Sequence, residues 1–199
     1  MRKTLFAILM VISIGSASYA QDETRDVKKL YLGLSTGIDN PVGFLGFTAE
    51  YQFVKNLSAY GGVGLGTWGG KAALGMRYYL NYPGSWAFGI GWAGASGAKD
   101  VKIKVEQEDN NTGTKETNSV TFDLDPVSTI NLSATKFWLL GKRKVNRLHL
   151  ELGYAIPLQN NAYTIKDSAE PLSSAGKFAM RIAQPGGIII GAGFSFGLF

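Results

Sequence analysis

Cysteine is absent from this chain, so disulfide bonds contribute nothing to its stability. Charged residues make up only 18% of the sequence, and histidine occurs once. Beyond residue 20 there is no run of about 18 apolar residues, which excludes a transmembrane helix. The 20 basic residues barely outnumber the 15 acidic ones, and the longest basic cluster, 142–144, lies in a predicted turn. These features exclude a disulfide-stabilised domain, a helical membrane protein and a typical nucleic-acid binder.

The first 20 residues have the three parts of a secretory signal peptide. Arg2 and Lys3 form a positive end, Leu5–Ile14 an apolar core, and Ser18–Ala20 a cleavage site with small residues at both ends. Such a core is too short to span ~30 Å of hydrocarbon as a helix, so cleavage is expected instead of anchoring. The predicted organisation is a signal peptide at 1–20, a short periplasmic segment at 21–28 and one domain at 29–199.

Alternation with a period of two residues is the strongest pattern in the rest of the chain. In Arg147–Leu158 every second residue is apolar, and the residues between them are mostly charged or small. This is typical of a β-strand with two unlike faces. The pattern predicts eight strands, at about 29–37, 43–53, 57–68, 71–80, 85–95, 120–140, 147–158 and 186–199. Gly69 and Gly70 are predicted to form a tight hairpin turn between the third and fourth strands.

The apolar face of these strands is predicted to contact lipid. An Arg or Lys there would cost about 2–4 kcal/mol at mid-depth in a bilayer, and that face is almost free of charge. The opposite face is largely glycine and alanine, which suits the narrow interior of an eight-stranded barrel. Lys136 either reaches the membrane interface or marks a bulge that turns Phe137 and Leu139 outward. The predicted lipid-facing residues include Leu45, Phe47, Leu74, Phe88, Ile90, Leu148, Leu150, Leu152, Ile190, Phe194 and Phe196.

An even number of strands with both long connections, 96–119 and 159–185, on one side is typical of transmembrane barrels with external loops. Over about 30–199 the chain resembles the small eight-stranded outer-membrane barrels of OmpA/OmpX type. The resemblance implies an all-β, antiparallel, up-and-down barrel in the bacterial outer membrane. It also implies that Phe199, one residue out of phase with the preceding apolar positions, is recognised by the barrel-assembly machinery. A predicted interfacial girdle comprises Tyr51, Phe53, Tyr78, Tyr82, Trp86 and Trp138.

Five polar side chains are predicted to point into the barrel: Glu50, Arg77, Arg147, His149 and Glu151. Charges that are buried together must pair or become neutral, so a network of salt bridges and hydrogen bonds is the first interpretation. A gated pore or a proton path is the second, because the many inward glycines leave room for water. His149 has no serine beside it in the sequence, and we expect no catalytic residue, no cofactor and no metal ion.

The loop 96–119 is predicted to extend its two flanking strands beyond the membrane as a hairpin. The alternating apolar positions that indicate this are Val101, Ile103 and Val105, followed by Val120, Phe122 and Leu124. Such an edge either pairs with an extended segment of an extracellular protein or only covers the barrel mouth. Asp123 and Asp125 share a face, but two carboxylates are weak evidence for a cation site.

The second long loop, 159–185, contains Phe178, Met180 and Ile182, which indicate either a short helix or a further strand extension. The leading functional expectation is a monomeric, non-enzymatic outer-membrane protein whose external loops bind a partner or support the envelope. A narrow channel for ions or small solutes is the alternative, motivated by the inward glycines and charges. A lipid-modifying enzyme is the third hypothesis. Lipid and the assembly machinery are the expected partners, with no nucleic acid.

Overall fold

The computed structural model describes residues 28–54, 56–108, 115–166 and 172–198. The predicted signal peptide, nearly all of the 21–28 segment and Phe199 therefore lie outside the described residues. The described chain forms strands β1 (Leu30–Ile38), β2 (Leu45–Val54), β3 (Leu57–Gly66), β4 (Gly69–Tyr79), β5 (Trp86–Ala95), β6 (Ala98–Glu108), β7 (Lys115–Leu124), β8 (Val127–Leu140), β9 (Asn146–Pro157), β10 (Tyr163–Ile165) and β11 (Gly187–Gly197), with one helix, α1 (Ser174–Ala183).

Eight of the strands form a closed antiparallel barrel in the order β1-β2-β3-β4-β5-β8-β9-β11, and β11 pairs back with β1. The predicted eight-stranded barrel is thus confirmed. Each barrel strand pairs with the next barrel strand along the chain. The gaps in the numbering arise because β6 and β7 are inserted between β5 and β8, and β10 and α1 between β9 and β11. Closure pairs every strand on both sides and leaves the barrel without a free edge.

The two ends of the barrel differ. At one end, which we call the turn end, lie the short connections after β2, β4 and β8, together with residues 28 and 198. At the other, the cap end, lie the connections 39–44 and 67–68 and both long insertions. The two long connections therefore emerge on the same side, as the strand count predicted.

The outer face of the barrel is apolar. The eleven residues predicted for this face all alternate outward, and ten of them are exposed while Phe194 is half-buried. Lys136 is the one charged residue at an outward position of the eight barrel strands, all of which the structure describes. Its Nζ lies 5.7 Å from the ring centroid of Trp86, while Phe137 is buried in the interior. The bulge that would turn Phe137 outward is therefore absent.

The insertions build a separate small unit, which we call the cap: β6, β7, β10 and α1. Its sheet has the order β10-β7-β6. The prediction of one long strand over 120–140 is wrong, because Asp125 and Pro126 separate β7 from β8. Proline lacks an N–H to donate, so the ladder cannot pass through this position unchanged. The hairpin of β6 and β7 consequently pairs with β10 instead of continuing the barrel wall.

The turn between β3 and β4 also differs from the prediction. Thr67 and Trp68 form it, whereas Gly69 and Gly70 belong to β4 and pair with Gly66 and Leu65. The Trp68 side chain is buried in the cap, and its Nε1 donates to the Asp125 carbonyl at 2.8 Å. The barrel rim thereby contributes a large side chain to the core of the cap.

The segment around Met180 is a helix, which decides between the two forms predicted for it. Ser173 is its N-cap and accepts a hydrogen bond from the Gly176 N–H at 3.1 Å. Met180 is buried in the same apolar cluster as Trp68, Phe122 and Leu172, while Phe178 and Ile182 are exposed. Pro185 follows shortly after the helix and prevents its continuation.

Candidate functional site

The five polar residues predicted for the interior all lie inside the barrel and are buried. Glu50 on β2 is the centre of the group. Its Oε2 lies 3.2 Å from Nη1 of Arg77 on β4 and 3.1 Å from Nη2 of Arg147 on β9. Glu151 on β9 contacts Arg77 at 3.5 Å. The other Glu50 oxygen accepts hydrogen bonds from Ser58 and Tyr79. Two carboxylates thus balance two guanidinium groups inside the closed sheet.

Aromatic rings enclose the two guanidinium groups. Arg147 lies 3.5 Å from the ring centroid of Tyr31 and 4.6 Å from that of Phe137, and Arg77 lies 4.0 Å from that of Tyr60. Planar guanidinium groups stack favourably on aromatic faces, which offsets part of the loss of hydration. The charges are therefore packed among rings inside the barrel.

Tyr82 is not part of an outward girdle as predicted. It lies in the turn after β4, where it is buried and contacts the rings of Tyr31 and Tyr79 edge-on. Its hydroxyl donates to the carbonyl of Lys28 at 3.1 Å. The remaining predicted girdle residues, Tyr51, Phe53, Tyr78, Trp86 and Trp138, are exposed or half-buried. Tyr82 instead fills the interior at the turn end.

His149 is packed against Phe137, with ring centroids 5.3 Å apart. A Cβ added at Gly193 would lie 2.4 Å from its Cε1, so the imidazole occupies the space that this glycine leaves. Its Nδ1 has no hydrogen-bond partner within the described residues. A histidine that acts as a general base needs a hydroxyl or water within hydrogen-bond reach, and this packing provides no such protein group.

The connection between β1 and β2 folds into the barrel, which the sequence pattern does not predict. Asn40 is buried and donates to Ser35 Oγ at 2.8 Å, and its own Oδ1 accepts from the Val42 N–H at 3.0 Å. Lys71 Nζ donates to the Asn40 carbonyl at 2.8 Å. These bonds hold Val42, which is only 3% exposed, inside the cap end of the barrel against Ala73.

The inward glycines accommodate this loop. A Cβ at Gly46 would lie 2.6 Å from Cβ of Val42, and one at Gly62 would lie 2.6 Å from Val42 Cγ1. A Cβ at Gly75 would likewise meet the ring of Tyr60 at 2.7 Å. The space beside Gly46, Gly62 and Gly75 is therefore occupied by side chains and does not provide the room for water on which the pore interpretation depends. A cavity of about 20 Å³ remains beside the charged group, with room for about one water molecule.

The polar face of the cap carries a small exposed charge cluster. Lys166 Nζ lies 2.8 Å from Asp100 and 3.0 Å from Asp123. The Asp100 N–H, which donates to Asp123 at 3.0 Å, and Lys166 hold the pKa of Asp123 below its usual value. The same two carboxylates raise the pKa of Lys166.

Asp123 is thus paired with a lysine, while Asp125 is exposed and does not join this cluster. Among the residues that the structure describes, no group of three or more acidic or histidine side chains is arranged to hold a metal ion.

The predicted interaction edge at β6 is partly covered. Leu172 forms a bridge with Gln107, and the Ser173 N–H donates to the Glu106 carbonyl at 3.1 Å. Val105 is buried, and Val101 and Ile103 are half-buried on the face that packs towards α1. Over 101–105 the outer edge of β6 has no strand partner in the described part of the chain.

No helix in the described residues has both the length and the apolar character needed to cross a bilayer. The sequence matches no protein-family model, and comparisons with curated proteins and with solved structures give no match either.

Proposed function

We propose that the protein is an integral outer-membrane β-barrel with a sealed interior, and that it acts through the cap that it displays outside the cell. The observation that carries this proposal is the distribution of charge on the barrel. Glu50, Arg77, Arg147 and Glu151 are enclosed within the sheet, and the outer face of the eight strands carries Lys136 as its one charged residue. A barrel dissolved in water has the opposite distribution.

The outer face supports the membrane location physically. Large apolar side chains such as Phe47, Leu74 and Leu152 are more than half exposed, and similar residues surround the whole barrel. Soluble monomers rarely expose a continuous apolar patch larger than a few hundred Å². In a bilayer the same surface is favourable, and the closed ladder satisfies the backbone groups that hydrocarbon cannot. Lys136, beside Trp86 at the turn end, fits an interfacial position.

The filled interior supports a wall and not a channel. Val42 occupies the cap end, and the pairs between Glu50 and the two arginines occupy the turn end. An ion crossing the barrel would have to displace both. This packing does not support the channel hypothesis, and the packing of His149 against Phe137 does not support the lipid-modifying enzyme. We propose a non-enzymatic role that needs no cofactor.

The route to the membrane is part of the proposal. We propose that the signal-peptide pattern at 1–20 directs export and that the barrel-assembly machinery recognises Phe199. Once assembled, the barrel holds the cap outside the cell as a monomer. The cap offers an extracellular protein two surfaces. One is the edge of β6 over 101–105, which has no strand partner in the described residues, and the other is the polar face of the cap.

Gel mobility in detergent tests the barrel, and bilayer recordings test the seal. A folded transmembrane barrel changes its gel mobility on boiling and stays in vesicles after an alkaline wash. A water-soluble β-protein is released from the vesicles by the same wash. Purified protein in planar bilayers is expected to be silent. The matched variant is Val42→Gly, which removes the Val42 side chain from the cap end but leaves the charged group in place. A steady conductance of the unmodified protein that changes in Glu50→Gln would overturn the sealed-wall proposal in favour of a channel.

A further inference from the structure

We infer that α1 is a lipid-contacting helix, which places Phe178 and Ile182 in the outer membrane surface and binds anionic headgroup phosphates through Lys177 and Arg181. The inference rests on the proposed function, because it needs a barrel embedded in lipid. It adds a second membrane contact, made by the cap, to the one made by the barrel wall.

The helix has two apolar sides, and packing within the cap uses only one of them. Gly176 and Met180 are buried against the sheet. Phe178 and Ile182, one turn apart, are 64% and 65% exposed. Exposed apolar side chains at this spacing form one stripe on a helix surface. No residue within the described cap covers that stripe.

Two basic side chains border the apolar stripe. Lys177 and Arg181 are also one turn apart, both are exposed, and neither forms an ion pair within the described residues. A helix with Phe and Ile on one side and Lys and Arg beside them is typical of segments that lie at a membrane surface. The first turn carries no acidic residue to repel an anionic surface. The charge of this face is therefore complementary to lipid phosphate.

The position of the helix places the stripe next to the barrel rim. The N-terminal end of α1 lies beside Glu106, near the C-terminal end of β6. At the C-terminal end of the helix, the carbonyl of Ala183 accepts a hydrogen bond from Thr67 in the β3–β4 turn at 3.2 Å. Pro185 lines a small crevice at the cap end together with Phe44, an exposed residue of the connection 39–44. Ile182 is next to this contact and Phe178 is one turn, about 5 Å, further along the helix. The end of the helix that carries Ile182 thus lies at the rim of the barrel.

A lipid surface fits this face better than a second protein does. The stripe begins at the rim of the apolar wall, where in the proposed orientation headgroups are already in contact with the barrel. Each Lys or Arg close to an anionic surface raises partitioning about fivefold. Removing both charges should therefore lower the partition constant of the helix between surface and water about 25-fold.

Single cysteines labelled with an environment-sensitive dye test the inference, since the chain has no cysteine of its own. Labels at Phe178→Cys and Ile182→Cys are compared with a label at Lys104→Cys on the exposed polar side of β6. A label at Leu150→Cys on the barrel wall reports the proposed function. All four proteins are reconstituted in phosphatidylglycerol or phosphatidylcholine vesicles that contain a nitroxide lipid, and each is checked for its gel-mobility change on boiling.

We expect quenching and a blue shift at 178 and 182 but not at 104, stronger in phosphatidylglycerol than in phosphatidylcholine. With the label at 182, Lys177→Gln and Arg181→Gln together should reduce the difference between the two lipids. If 150 is quenched and 178 and 182 behave like 104, the inference is wrong and the barrel proposal stands. Cross-linking of 178 between two copies without quenching would also overturn it. If 150 itself is unquenched, the barrel proposal fails first.

Discussion

Replacing Glu50 by glutamine should destabilise the barrel more than any other single loss of charge inside it. Glu50 is 5% exposed and is the carboxylate closest to both Arg77 and Arg147. Glutamine keeps the shape and can still accept a hydrogen bond from Ser58, but it removes the negative charge. Removing one partner of a buried ion pair costs about 3–5 kcal/mol, because the other charge stays buried without compensation. Here Arg147 loses the carboxylate that contacts it.

Two matched changes show whether the position of the charge explains the effect. Glu151→Gln should cost less, because Arg77 keeps its contact with Glu50 at 3.2 Å and loses only the one at 3.5 Å. Asp125→Asn makes the same kind of change at an exposed residue of the cap and should stay within about 0.5 kcal/mol of the unmodified protein. The free energy of unfolding is measured by urea titration in lipid vesicles, followed by tryptophan fluorescence. Equal stability of the Glu50 and Asp125 variants would refute the reasoning.

Three further predictions concern the wall, the cap core and the cap surface. In the proposed membrane location, Leu150→Arg on the outer face should reduce assembly at a cost of about 2–4 kcal/mol, more than Glu151→Gln does, and fractionation of cells measures the ranking. Trp68→Ala should loosen the cap by about 3–5 kcal/mol and increase hydrogen exchange in β6 and β7, with little change in the barrel strands. Lys166→Gln should raise the pKa of Asp123 towards its usual value, as seen by carboxyl NMR titration; Lys102→Gln is the control. Because the pKa of Asp123 is lowered in the folded state, this carboxylate stabilises the fold at pH values above the usual aspartate pKa. That stabilisation is lost as the pH falls through the lowered value.

The alternation in the sequence predicted the barrel and the face of each wall residue because a strand has a fixed period of two. Once Leu148 and Leu150 are outward, Arg147, His149 and Glu151 have to be inward, and the structure has this arrangement. The number of strands and the side of the long loops follow from the same counting. What periodicity cannot provide is the pairing among the inward groups, since it depends on which strands become neighbours after closure.

The predictions that the structure contradicts concern turns and strand ends, where the alternation of the strands no longer applies. Tyr82 lies in a turn, so no periodicity indicated whether it faced outward or into the barrel. Val42 follows Asn40 and Pro41, a turn signal that does not show whether the turn projects from the barrel or folds into it. Pro126 was the available sign that the strand over 120–140 is interrupted. Gly46 and Gly62 also indicated a filled interior. Inward glycines have no side chains, so another part of the chain has to fill the space beside them.

The cap is attached to the barrel by side chains from several parts of the rim and not only by its chain connections. Trp68 enters its core from the β3–β4 turn, Thr67 bonds to Ala183, and Asp39 accepts a hydrogen bond from the Gly186 N–H at 3.2 Å. Asp39 is half-buried at this contact, and this burial raises the pKa of its carboxyl group. A cap fixed at several points of the rim loses little conformational freedom when it is bound. Its surfaces, α1 included, are therefore expected to have the same arrangement before and after a partner or a membrane is bound.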